Sequence, residues 1–143
     1  MEFTLAYDRD QKILLITMGA VVTEASTAAA VNAVRSFVSI EDPNAGIADL
    51  SAVNRIEISR DFIKYVAARP PAIPDQKLCI LVAPQEVTYG MSRMFQILRG
   101  GVNFQVVHGM NEAFGLLHIQ SLGFGASETS VSANAATARR TGL

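Results

Sequence analysis

Few residues of this chain have side chains suited to chemistry, and their spacing gives them no common reaction. The two histidines, His108 and His118, share no spacing that suits a metal ion. The single cysteine, Cys79, lies inside the apolar run KLCILVA, where a thiol is buried and unreactive. Asp49 is the best-placed carboxylate, because it closes the short apolar segment GIADLS and stands where a strand gives way to a loop. Its plainer role is to accept backbone N–H bonds in that loop. Arg55, Glu57, Arg60 and Asp61 then crowd charge into a few residues, which reads either as a solvated surface or as a rim that docks a partner. RGGVNF lacks the Gly-Lys-Ser/Thr ending of a phosphate-binding loop. These residues imply no catalytic set, no metal site and no cofactor.

The segment VAPQEVTYGMSRMFQIL, residues 82–98, carries the densest functional suspicion. At about 100° per helical residue, Met91, Met94, Phe95 and Leu98 fall on one arc, the expected core face. Tyr89, Arg93 and Gln96 fall opposite, on a ridge where Tyr89 and Arg93 can stack or hydrogen-bond. Gly90 weakens this helix relative to alanine. It either admits close approach of a backbone or ligand, or eases a cramped turn. Methionine-rich packing is adaptable and suits a partner groove or a small apolar ligand.

The elements that position these residues follow from hydrophobic period and end signals. FTLAYD and KILLITM are joined by DRDQ and read as an antiparallel hairpin. Thr23 caps a helix through VNAVRSFVS, with Val31, Val34 and Val38 inward, and EDPNAG ends it. GIADLS is a short buried strand. Ser59 caps a helix with Phe62, Ile63 and Val66 inward, closed by Pro70 and Pro71. KLCILVA is a strand, the segment above is a helix stopped by Gly100 and Gly101, and NFQVVH is the last strand. GMNEAFGLLHI is the last helix, with Asn111 as its cap. The order is ββαβαβαβα: an α/β domain over residues 1–120, with a mostly parallel sheet led by an antiparallel hairpin and about four helices. Ligand sites in such sheets favour the C-terminal strand ends, here DLSAVNRIEIS, VAPQEVTYG and VHGMN. Residues 121–143 are rich in Ala, Ser and Thr, without a usable apolar period, and read as a mobile tail held near Leu122 or Phe124.

Composition excludes several classes. Twelve basic against thirteen acidic residues leave a net charge of −1, with no drive toward nucleic acid or anionic lipid. No apolar run is long enough to span a membrane, no secretory leader is visible, and one cysteine cannot close an intrachain disulfide. The expectation is a soluble, cytoplasmic domain.

The element order, with Asp49-Leu50-Ser51 ending the third strand, resembles the STAS domain, the fold of bacterial anti-sigma-factor antagonists. Ala83-Pro84 followed by Tyr89-Gly90 and Arg93-Met94-Phe95, then Val107-His108 with Glu112-Ala113, look most like its SpoIIAA-like, or STAS/SEC14, branch. The resemblance covers residues 3–119. It implies a noncatalytic regulatory domain acting through a protein partner, with the surface carried by Asp49, Ser51, Arg55, Glu57, Ser59, Tyr89, Gly90, Arg93 and Gln96. Phosphorylatable relatives carry an acceptor serine where this chain has Ile58. Ser59 is more simply a helix cap and Ser51 a turn residue, so a serine-phosphate switch of that type is disfavoured. The likeness to SEC14-type lipid binders implies the alternative, a carrier or sensor of a small molecule, either an apolar ligand such as a lipid, or a nucleotide. An enzyme is the third reading and needs polar side chains converging around Asp49, Tyr89, Arg93 or His108. Homodimerisation is expected on general grounds.

Overall fold

The computed structural model describes residues 2–101 and 103–123 and the backbone of Thr129–Val131. Strands β1 (Phe3–Asp8) and β2 (Ile13–Met18) form the expected hairpin, with Phe3 opposite Met18 and Asp8 opposite Ile13. Lys12 closes its turn in the left-handed region at φ 59°. Asp8 is only 3% exposed and accepts the backbone and side-chain N–H groups of Gln11 at 2.9 and 2.8 Å. The short strand β3 (Val21–Thr23) leads into α1 (Glu24–Glu41). There Thr23 and Ser26 cap each other reciprocally, each side chain accepting the other's backbone N–H. Asp42, left-handed at φ 50°, ends α1 just before Pro43.

Next come β4 (Ala45–Asp49), β5 (Arg55–Glu57), α2 (Arg60–Ala68) and β6 (Leu78–Val82). They are followed by α3 (Glu86–Arg99), β7 (Phe104–Val107), α4 (Met110–Leu117) and β8 (Thr129–Val131). The main sheet runs β7-β6-β4-β2-β1-β8, parallel from β7 to β2 and antiparallel beyond. The fold is therefore the α/β arrangement expected, a mixed sheet led by an antiparallel hairpin with four helices. Three short strands add to it. β3 and β5 pair in parallel as a small second sheet, and their three-residue lengths carry no readable period.

Each parallel crossover advances one place along the sheet in the same direction, so right-handed connections put α1, α2 and α3 on one face. α4 packs on the other. Alternation along the strands sends Leu14, Ile16, Gly46, Ala48, Cys79 and Leu81 toward the three helices. Ile13, Ala45, Ile47, Ile80 and Val82 face α4 together with Ala113.

Two local expectations are corrected. α4 is capped at Gly109, while Asn111 is exposed inside the helix. The Glu112 carboxylate reaches back to accept the His108 backbone N–H at 3.1 Å, which removes the need for a capping asparagine. The tail composition also announces no strand, yet Thr129–Val131 pairs with Phe3, Thr4 and Leu5 of β1. Before it, Ser121 accepts from Gln11 at 2.9 Å, Leu122 packs on the α4-side core, and Gly123 N–H donates to Asp8 at 2.8 Å. The rest of the expected mobile tail, residues 124–128 and 132–143, lies outside the described residues.

Candidate functional site

A cavity of about 460 Å³ lies between the three-helix face of the sheet and α1, α2 and α3. Its walls are mostly apolar, with Leu14 and Ile16 on the sheet, Val34 on α1, Phe62 on α2, and Met91 and Phe95 on α3. The sequence makes this space by what it omits. At the centre of the sheet Gly46 lies between Leu14 and Cys79, and Ala48 between Ile16 and Leu81. Three small residues therefore stand where a filled α/β interior would carry branched ones. A roof, residues 69–77, crosses this space and contains Pro70, Pro71 and Pro74. Ile73 hangs from it over Gly46, where a β-carbon would collide with Ile73 Cδ1.

The polar groups in the wall are few. Cys79 is half-buried on the cavity wall, and desolvation pushes its thiol up to about 12, only partly opposed by the charge of Arg99. The thiol is therefore protonated and inert near neutral pH. Thr27 Oγ1 on α1 is buried and has no hydrogen-bond partner among the described residues. Thr88 and Ser92 are the buried residues of α3, and the Thr88 hydroxyl donates to Gln85 O at 2.9 Å.

α3 is consequently rotated from the orientation its apolar arc suggests. Thr88, Met91, Ser92, Phe95 and Arg99 face the cavity, whereas Leu98 is 44% exposed and Ile97 70%. Small polar residues can approach a space that bulky apolar ones would have to fill. The Phe95 and Phe104 rings meet at 5.2 Å and fix the roll of the helix. The expected Tyr89/Arg93/Gln96 ridge divides. Tyr89 stacks on His108 at 3.9 Å and 11°, while the Arg93 guanidinium donates to Gln96 Oε1. Gln96 Nε2 turns to the sheet and donates to Phe104 O at 2.8 Å. Gly90 is exposed and a β-carbon there would meet nothing within 4 Å, so neither a neighbouring backbone nor a cramped turn within the chain accounts for it.

The remaining candidates occupy the C-terminal ends of the parallel strands. Asp49 accepts both the backbone N–H of Ser51, at 2.9 Å, and its hydroxyl, which closes the turn after β4. Arg55 and Glu57 are exposed on β5 and pair at 2.7 Å. Ser59 caps α2 by accepting Phe62 N–H at 3.0 Å, and its own N–H donates to Glu24 Oε2 at 3.0 Å. These groups are satisfied by one another.

The charged groups that line the cavity belong to the opposite end, where α2 and α3 finish and β6 and β7 begin. They are Arg35, Arg69, Lys77 and Arg99, against the single carboxylate of Asp75. Sequence reasoning names none of the four cations. The available signal is the proline-rich connector ARPPAIPDQK, bounded by Arg69 and Lys77. Among the described residues no group of three or more His, Cys, Asp or Glu side chains could hold a metal ion, and no helix is long and apolar enough to cross a membrane. The chain matches no protein-family model, no curated protein and no solved structure.

Proposed function

We propose that this chain is a noncatalytic binding domain that holds a small apolar molecule between its sheet and α1–α3, as a carrier or sensor. The cavity carries this reading. Its volume falls within the range of about 300–1,000 Å³ typical of small-molecule sites, and its lining is largely hydrophobic. The low charge, the single cysteine and the STAS/SEC14 resemblance support a regulatory role in a bacterial cytoplasm. A saturable response of an uncharged environment-sensitive fluorophore, lost in Cys79→Phe while the far-UV circular dichroism stays unchanged, is the expected result. Absence of saturable binding by the wild-type chain, together with no co-purifying small molecule in native mass spectrometry, would overturn it.

The second reading is a docking surface for a protein partner at the Asp49–Asp61 loop. The observation in its favour is that Ser51, Arg55, Glu57 and Ser59 are all exposed within that one short segment around β5. In a pull-down, Arg55→Ala is expected to weaken a captured partner without loss of fold, and unchanged capture by that variant would remove the assignment.

A further inference from the structure

The charged residues around the cavity specify more than an apolar occupant. Three guanidiniums converge on the last turn of α2 and the start of the roof. Arg35 donates to Pro70 O at 3.1 Å. Arg99 donates through one nitrogen to Ala67 O at 3.1 Å and Arg69 O at 2.9 Å. Arg69 donates to Tyr65 Oη at 3.1 Å and lies 5.4 Å over its ring. Arg35 and Arg99 thus sit on the consecutive carbonyls of Arg69 and Pro70.

All of these acceptors are neutral. Among the described residues the ion pairs are Arg9–Glu41 and Arg55–Glu57, and neither involves this cluster. The Asp75 carboxylate lines the cavity too, but it forms no ion pair with these arginines. Arg35 and Arg99 are held on adjacent carbonyls with no carboxylate between them, and each guanidinium presents five donors in a fork shaped for carboxylate or phosphate. In a chain of net charge −1, four cations against one anion around an apolar space form a concentrated local field.

We infer that the occupant is a single-chain anionic amphiphile, its chain in the cavity and its carboxylate or phosphate head on Arg35, Arg69 and Arg99. This rests on the binding role proposed above and adds the class of ligand. The volume lies in the lower part of the range for such sites and suits one acyl chain better than two. Entry is then at the N-terminal strand ends, opposite the end where parallel sheets usually hold ligands.

The test is calorimetric titration of the full chain with dodecanoate, dodecyl phosphate, dodecanol and inorganic phosphate. The two anionic amphiphiles are expected to bind about tenfold or more tightly than dodecanol, the scale of a charge-assisted contact. That advantage should shrink with added salt and fall severalfold in Arg35→Gln/Arg69→Gln, which leaves Arg99 in place. Dodecanol should bind the double variant as it binds wild type, which shows the cavity intact. The better of dodecanoate and dodecyl phosphate identifies the head group. Equal affinity for dodecanol and the anions would overturn the inference while leaving the cavity role standing. Inorganic phosphate binding as tightly as dodecyl phosphate would overturn it as well, leaving a plain anion site. If neither the anions nor dodecanol bind, the cavity role and the inference fall together.

Discussion

The two faces of the sheet are built on opposite terms. The face under α4 is covered by a helix of only eight residues, yet Ile47, Ile80, Val82 and Ala113 are buried there almost without exposure. The other face is covered by three helices, including the 18-residue α1 and the 14-residue α3, and still encloses an open space. What differs is the alternate residues of the same strands. β4 turns Ala45 and Ile47 to α4 but Gly46 and Ala48 to the cavity, and β6 turns Ile80 and Val82 one way and Cys79 the other. Coverage by helices does not by itself make a packed interior. Side-chain volume on the facing strands does.

Neighbouring residues of β6 give the sharpest way to break this contrast. Ile80→Ala is expected to cost about 2–5 kcal/mol, because it empties a closed core. Leu81→Ala, on the cavity side, is expected to cost less than about 1.5 kcal/mol, since the lost atoms already border a space. Urea denaturation of the two variants decides it, and equal losses would erase the distinction between the faces.

Asp8 tests how the α4 side is fastened. Burial raises the pKa of its carboxyl, but hydrogen bonds from the Gly123, Gln11 and Asp10 backbones and the Gln11 side chain outweigh this and hold it below the ordinary value. A lowered folded-state pKa gives stability that is fully present above the unfolded value of about 3.9 and is lost as pH falls through the folded value. Asp8→Asn is expected to lose about 1–2 kcal/mol at neutral pH and to flatten the acid limb of the stability curve. An unchanged acid limb, followed by thermal melts at several pH values, would show that the 121–123 segment is not held through this carboxylate.

The smallest effect has the opposite sign. Gly90→Ala, on the exposed side of the cavity-lining α3, is expected to stabilise the fold by roughly 0.5–1 kcal/mol, because the added methyl meets only solvent. A loss of stability in the same melts would mean that α3 is more constrained on its outer side than its geometry indicates.

Strand and helix existence was legible because long periodic segments and their caps are local properties. Thr23 and Ser59 signal their helices within four residues of chain. The roll of α3 was not legible, since it depends on what Thr88 and Ser92 face across the domain and on the Phe95–Phe104 contact. The place of the cavity was not legible for a related reason. AGIAD and LCILV read as continuous apolar runs, and only the strand register shows that their small members gather on one side. Asp49, Arg55, Glu57 and Ser59 stood out as conspicuous polar residues in a loop, and the structure gives each a local partner. Arg35, Arg69 and Arg99 come from three separate helices or their ends, so no linear spacing could have joined them.

The bond from Gln96 to Phe104 has a consequence for how the molecule keeps to itself. β7 is the last strand on its side of the sheet, and Asn103 O and Val107 O already accept from Cys79 and Ala83 on the inner side. Alternation then aims Phe104 O outward, on the side where a foreign strand would add to the sheet. Gln96 Nε2 occupies that carbonyl at 2.8 Å. A β-rich neighbour must break this contact before it can extend a four-residue border, so the Gln96 side chain holds one of the acceptors that strand addition would use.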